Sequence, residues 1–206
     1  MNRFISFEGI DGSGKTTQIE LLINKLKSAN EKAISFREPG GTSISESIRE
    51  ILLNNKNSTL TDTAESLLFF ASRSQLLSDK IIPLTNQGYF VICDRFNDST
   101  IAYQGYGNKI DLNYLHTLSD YCVNDFKPDL TFFLDISVDL SMKRRTMKLS
   151  DRIESRGEDY LEKVRSGFLE IADNNPKRFI IIDGADNKTN ISNKIWDIVS
   201  DKYKII

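Results

Sequence analysis

The sequence holds a single histidine, His116, among 206 residues, which removes every His-based triad and every multi-histidine metal site. Cysteine is nearly as scarce. Cys93 and Cys122 have no metal-like spacing, and so few thiols fit a reduced, intracellular compartment; a cytoplasmic location is therefore expected. An excess of positive charge is missing as well. The 27 basic residues stand against 29 acidic ones, a net charge of −2, without the basic footprint of a nucleic-acid binder. Long apolar runs are lacking too. Leu67-Leu68-Phe69-Phe70-Ala71 falls far short of the roughly 20 residues a bilayer span needs, and no membrane partner is expected. The opening Met1-Asn2-Arg3-Phe4-Ile5-Ser6-Phe7 has neither an apolar stretch nor a small-residue cleavage site, so no removable leader is expected. What is present is an ordinary soluble composition, 39% hydrophobic and 27% charged, in a length that suits one domain over residues 1–206.

Short apolar runs alternate with helical patterns along the chain. Strands are expected at Phe4 to Glu8, Ala33 to Arg37, Tyr89 to Asp94, Leu130 to Asp135 and Phe179 to Asp183. Between them, helices are expected at Thr16 to Ala29, Ser43 to Asn54, Asp62 to Lys80, Ser99 to Tyr103, Leu112 to Val123, Val138 to Met147 and Tyr160 to Asp173, with a closing helix at Ile191 to Tyr203. In the second helix Ile44, Ile48, Ile51 and Leu52 read as the inward stripe. Such alternation predicts an α/β fold with a five-stranded parallel sheet covered on both faces, whose ligands bind beyond the carboxyl ends of the strands.

The segment after the first strand is Gly9-Ile10-Asp11-Gly12-Ser13-Gly14-Lys15-Thr16, a full match to the phosphate-binding P-loop. Its glycines let backbone N–H groups point at phosphate oxygens, and the following helix adds its positive end. Lys15 reaches the outer phosphates as a point charge, and Thr16 offers a hydroxyl to Mg²⁺. After the third strand, Asp94 stands where P-loop proteins hold the metal through a second acidic element, and Arg95 beside it suits bidentate phosphate contact.

Helical spacing places Phe69 and Arg73 on one face, and Thr100, Tyr103 and Gln104 on another. A ring, a guanidinium, a hydroxyl and an amide form a set that could stack on a base and read its polar edge. The densest basic region runs from Lys143-Arg144-Arg145 through Lys148, Arg152 and Arg156. It reads either as a solvated helix face, partly neutralised by Asp151, Glu154 and Glu158, or as a helical lid of about residues 143–157 that brings cations over transferring phosphates. The lid reading is preferred because the P-loop offers only Lys15 as a cation.

These residues resemble the thymidylate kinase family. The resemblance is carried by Phe7-Glu8-Gly9-Ile10-Asp11-Gly12-Ser13-Gly14-Lys15-Thr16-Thr17-Gln18, by Arg37-Glu38-Pro39-Gly40-Gly41-Thr42, and by Leu67-Leu68-Phe69-Phe70-Ala71-Ser72-Arg73-Ser74-Gln75. Asp94-Arg95-Phe96 with Ser99-Thr100-Ile101-Ala102-Tyr103-Gln104-Gly105, and Asp151-Arg152-Ile153-Glu154, complete it in family order. The resemblance implies ATP- and Mg²⁺-dependent phosphorylation of dTMP to dTDP on a three-layer P-loop fold, by a homodimer. It implies that Phe69 stacks on thymine, that Arg73, Thr100 and Gln104 bond its edge, and that Tyr103 packs against the deoxyribose. Asp11 would face the 3′-hydroxyl, Arg49 and Arg95 would hold the acceptor phosphate, and residues Gly9 to Thr17 would cradle ATP. Thr16 and Asp94 would hold the metal. Lid arginines, Arg144, Arg145 or Arg152, would reach the transferring phosphoryl, as in bacterial-type members whose P-loop lacks arginine. Ser72, Leu76 and Phe96 depart from residues common in the family, and Met147-Lys148-Leu149 interrupts the lid's arginines.

Other readings of the residues are a deoxynucleoside kinase, with Glu8, Glu38 or Asp94 as base, and a nucleotide-binding scaffold without turnover. A GTP switch is disfavoured because Asn187-Lys188 is followed by Thr189-Asn190 and not by the guanine-reading pattern.

Overall fold

The computed structural model describes residues 2–124, 126–145 and 152–205. Five apolar runs form five parallel strands: β1 (Phe4–Glu8), β2 (Ala33–Arg37), β3 (Phe90–Asp94), β4 (Leu130–Asp135) and β5 (Phe179–Asp183), in the order β2-β3-β1-β4-β5. β1, buried throughout, lies at the centre, with Phe7 beside Asp94 of β3 and Glu8 beside Phe133 of β4. Arg37 of β2 also sits beside Asp94, so β1, β2 and β3 end at one level. That common end is where a parallel sheet presents its loops to a ligand.

Strand alternation splits the core in two. Ile5, Phe7, Phe132, Leu134 and Ile182 face α1 (Lys15–Ser28) and α9 (Lys188–Tyr203), which contribute Ile19, Leu22, Leu26, Ile191, Ile195 and Val199. The opposite face carries Phe4, Val91 and Cys93 against the third helix, α3 (Asp62–Leu76), and Phe133 and Phe179 against α8 (Glu158–Asn174). Ser6 and Thr131 also point to this second face, and their hydroxyls satisfy each other at 2.9 Å.

The helix expected to end at Lys80 runs further. α3 passes through a π-helical turn, Leu77–Ile81, into α4 (Ile82–Asn86), before α6 (Leu112–Val123) and the rest. Pro83 has no N–H to give the carbonyl four residues back, and the wider turn accommodates that loss. A second π-helical stretch, Ile101–Gly107, continues α5 (Asn97–Thr100).

The inward stripe read for α2 (Ser43–Leu53) is corrected. Ile44 and Ile51 are exposed, and the buried line is Ser45 and Leu52. The cause is a hydrogen bond: Ser45 Oγ donates to the Ser72 carbonyl of α3 at 2.9 Å, and its small side chain lets the two helices meet there. α7 (Val138–Arg145) is the last described element before the segment expected as a lid, and a 3₁₀ turn, Glu154–Arg156, leads into α8. Met147, Lys148, Leu149 and Asp151, named above in that segment, lie outside the described residues.

Candidate active site

β1 ends in a turn that only glycine tolerates at its first position. Gly9 has φ 139°, and a Cβ there would lie 2.7 Å from the Leu134 carbonyl oxygen. Gly14, at φ 95°, is the N-cap of α1 and has open space beside it, so the helix's first N–H groups face a cleft. Lys15 is buried at 6% exposure, and its Nζ donates to the carbonyls of Gly9 and Ile10 at 3.0 and 3.3 Å. Burial and the nearby Arg95 lower its pKa against the pull of Asp94, Asp11 and Glu8.

Arg95 takes a left-handed backbone, φ 70°, uncommon for a residue with a side chain. The turn is braced by Glu8, whose Oε1 accepts from the Phe96 N–H at 2.8 Å and whose Oε2 accepts from Ser99 Oγ at 2.5 Å. Burial, helped by Asp98, pushes the Glu8 carboxyl up to about 8. The Arg95 guanidinium donates to the Gly9 carbonyl at 2.9 Å and to Asp11 Oδ1 at 2.8 Å, and lies 5.0 Å from the Tyr103 ring centroid. Burial works to raise the Asp11 carboxyl, but Arg95 and Lys15 outweigh it and hold it well below the usual carboxylate range.

A cleft of about 670 Å³ collects these groups and most of the other expected ones: Arg49, Phe69, Arg73, Asp94, Thr100, Tyr103, Gln104, Arg144 and Arg145 all line it. Its volume lies in the range of small-molecule sites. Among the P-loop residues Asp11, Gly12, Gly14, Lys15, Thr16 and Thr17 line it, and Gly9, Ile10 and Ser13 do not. Arg73 is 1% exposed, with Nε 2.8 Å from Glu38 Oε2, while its NH1 is buried without a hydrogen-bond partner. Thr100 Oγ1 and Glu38 Oε1 are likewise buried and unpartnered on the cleft wall. Each such group costs about 1–3 kcal/mol unless something polar meets it, which marks this wall as built for a polar ligand edge. Arg49 donates to the Pro39 carbonyl at 2.8 Å.

The metal fit rests on Thr16 and Asp94. The Thr16 hydroxyl donates to Asp94 Oδ2 at 3.0 Å, which sets two hard oxygens side by side on the cleft. No group of three or more His, Cys, Asp or Glu that could hold a metal occurs among the described residues. The pair suits a hard divalent cation that takes its remaining ligands from phosphates and water.

Arg152 stands apart from the other expected residues. It does not line the cleft. Its Nε donates to the Leu52 carbonyl at 2.9 Å and its NH2 pairs with Glu65, a fully buried carboxylate of α3. A buried charge needs a counter-charge, and Arg152 with Arg156 supplies it. Arg144, by contrast, reaches the cleft and donates to the carbonyls of Gly12 and Gly184, both at 3.1 Å. Glu65 and the orienting role of Glu8 were missed in the sequence. Glu65 stands four residues before Phe69 on the same helix face, and that spacing was the available signal.

The comparisons with known proteins follow the same line. A family model described as thymidylate kinase matches residues 7–195. The thymidylate kinase of Thermosipho africanus is 46% identical over 199 residues, covering 95% of this chain and 96% of the relative. That of Chlorobium limicola is 41% identical, covering 98% and 96%. The crystal structure of thymidylate kinase from Ehrlichia chaffeensis superposes with a TM-score of 0.78 at 37% identity, covering 96% of this chain and 97% of that one. On a family match that spans residues 7–195, this chain belongs to the thymidylate kinase family.

Proposed function

We propose that this chain transfers the γ-phosphoryl group of ATP to dTMP, giving dTDP and ADP, as a step in dTTP synthesis. The observation that carries the reading is the single cleft that joins two unlike walls. One wall is the P-loop with Lys15 and Thr16; the other is Phe69, Arg73, Thr100, Tyr103 and Gln104, with Arg95 between them.

On this reading a phosphate oxygen of dTMP forms the new bond to the γ-phosphorus, the bond from that phosphorus to its β-bridging oxygen breaks, and ADP leaves with the electron pair. The nucleophile is already anionic, so no strong general base is required. The protein's task is positioning and charge stabilisation. The backbone from Gly9 to Thr17 cradles the ATP phosphates and Lys15 contacts the outer ones. Arg49 and Arg95 hold the acceptor phosphate, Arg144 approaches the transferring group, and Asp11 faces the sugar. Phe69 stacks on the base, Arg73, Thr100 and Gln104 bond its edge, and Tyr103 packs on the deoxyribose. Thr16 and Asp94 hold Mg²⁺, which neutralises charge on the phosphates when bound. The loop at Gly184 lies against the P-loop, close enough that a Cβ there would be 3.3 Å from the Ser13 carbonyl oxygen, and it forms the adenine side.

The whole chain acts as one P-loop domain with a lid around residues 143–157, working in the cytoplasm. It works as a homodimer: exposed Ile44, Ile51 and Leu67 lie on α2 and α3, two helices packed together, and a second copy covers them. No helix among the described residues is long and apolar enough to cross a membrane.

The test is an ADP-coupled assay against a panel of nucleoside monophosphates and thymidine, with and without Mg²⁺. Preference for dTMP with Mg²⁺ is expected. Faster turnover of thymidine than of dTMP would make the chain a nucleoside kinase, and ADP release with no acceptor preference would sink the proposal.

A further inference from the structure

Glu65 is fully buried, yet it carries a carboxylate at the back of the base-side wall. Four donors from two parts of the chain converge on it. Oε1 accepts from Gln104 Nε2 at 2.9 Å and from Asn108 Nδ2 at 3.3 Å; Oε2 accepts from Arg156 NH2 at 2.6 Å and from Arg152 NH2. Glu65, Phe69 and Arg73 fall at i, i+4 and i+8 on α3, along one face. Gln104 sits in the π-helical stretch opposite and lines the cleft.

A side-chain amide has two ends, a donor nitrogen and an acceptor oxygen, and its neighbours decide which way it points. A carboxylate between two guanidinium groups accepts and does not donate. The Gln104 nitrogen therefore stays on Glu65, and the carbonyl oxygen is the end left for the cleft. Arg73 lines the same cleft, and its unpartnered NH1 is a donor that cannot become an acceptor. The wall thus offers one acceptor and one donor. That pattern meets the N–H and carbonyl of a 4-oxo pyrimidine. It opposes a 4-amino pyrimidine, whose ring nitrogen accepts and whose amino group donates.

We propose that Glu65 is a specificity-determining positioning residue, which fixes the Gln104 amide and so excludes 4-amino pyrimidine nucleotides from the cleft. The proposal rests on the assignment of this wall to the base of the acceptor nucleotide. Arg152 and Arg156 belong to the same device: they hold Glu65 in place from the far side.

The measurement is the ratio of the inhibition constant of dCMP, used as a competitor, to the KM of dTMP. It is taken for the wild type, Glu65→Gln, Gln104→Met and the double variant. A glutamine at 65 offers both a donor and an acceptor, which frees the Gln104 amide to turn over. The ratio is expected to fall by about tenfold or more in Glu65→Gln, mainly through a higher dTMP KM. In the Gln104→Met background the same change should move the ratio less than about twofold, because the amide it acts through is gone. A role in stability alone would lower activity and melting temperature but leave the ratio unchanged in every variant, and that result overturns the proposal. So does a ratio that drops equally in both backgrounds. Should Glu65→Gln not fold with two guanidinium groups left unpaired, it is combined with Arg152→Met, which removes one of them, and read in the same way. The two levels of failure are separate: a wild type that does not phosphorylate dTMP ends the functional reading, whereas a wild type selective for dTMP whose selectivity ignores Glu65 ends only this inference.

Discussion

Replacing Arg73 with methionine isolates its structural duty from the contact with a base proposed for it. The guanidinium is 1% exposed and donates from Nε at 2.8 Å to Oε2 of Glu38, itself 4% exposed. NH2 pairs with the same oxygen at 2.7 Å and donates to the Phe96 carbonyl at 3.1 Å. Methionine keeps much of the volume but strands the Glu38 carboxylate in the interior. Removing one partner of a buried pair costs about 3–5 kcal/mol. For a chain of this length that is a fall in Tm on the order of 10 °C. The loss also has a pH dependence of known sign. Burial raises the Glu38 carboxyl and Arg73 pulls it back, so without Arg73 it rises further. A group whose folded pKa lies above its unfolded value stabilises fully below the unfolded pKa, and that stability is lost as pH climbs through the folded pKa. Arg73→Met should thus be impaired least near pH 5 and most near pH 8. Adding Glu38→Gln should remove most of the difference, since no charge is then left to bury. Thermal and urea unfolding of the four proteins at both pH values measures this. A deficit below about 1 kcal/mol at pH 8, or one indifferent to both pH and Glu38→Gln, refutes the account of the pair as a buried charge and its counter-charge.

Arg95→Ala should lower kcat by about 10²-fold or more, the loss expected for one preorganised charge donor; steady-state rates within a few-fold of wild type would remove it from that role. Phe69→Ala should act mainly on the dTMP KM with little change in the KM of ATP, and an unchanged dTMP KM would reduce the ring to ordinary core. Glu8→Gln should flatten the dependence of stability on pH. With Glu8 raised to about 8, its stabilisation is present below about pH 4.5 and declines above it, by roughly 1.4 kcal/mol per pH unit as the proton is lost. Asp11, shifted the opposite way, contributes constantly across that window, so equal slopes for wild type and Glu8→Gln in unfolding experiments between pH 5.5 and 7.5 would contradict the shift.

The strands were legible because both faces of a parallel sheet are buried, which makes each strand a continuous apolar run. β1, β2, β4 and β5 begin and end where those runs do. The P-loop and the strand-end Asp94 were legible because backbone conformation and phosphate chemistry restrict residue types locally. Features set by distant partners were not. Ile44 and Ile51 follow helical spacing yet face outward, because a buried serine bonds α3 instead. The π-helical stretch leaves no mark in a count of apolar residues, although its Tyr103 and Gln104 still line the cleft with Thr100 of α5. The partner of Arg152 was not legible, because sequence proximity to a basic run says nothing of a carboxylate 87 positions away.

The arginines of this molecule sort by what they rest on. Arg73 rests on Glu38, Arg152 and Arg156 on Glu65, and Arg165 on Asp135, each within hydrogen-bond reach of a carboxylate that offsets its charge. Arg144 donates to the carbonyl oxygens of Gly12 and Gly184, and Lys15 to those of Gly9 and Ile10, with Asp11 Oδ1 farther off at 3.9 Å. A neutral carbonyl fixes the direction of a cation without cancelling its charge, whereas a carboxylate cancels much of it. Arg95 stands between the two groups, on the Gly9 carbonyl and on Asp11 at once. Two anionic phosphates can be brought together only where uncancelled positive charge is already aimed, since reorganising solvent or side chains at that moment would add to the barrier. Lys15 belongs to the P-loop and Arg144 bonds its Gly12 carbonyl, whereas Arg73 lines the same cleft from α3, with Phe69. On the proposed function, that division suits phosphoryl transfer at the P-loop end and leaves Arg73 to recognise a neutral, hydrogen-bonding edge, where an offset charge suffices because the partner carries none.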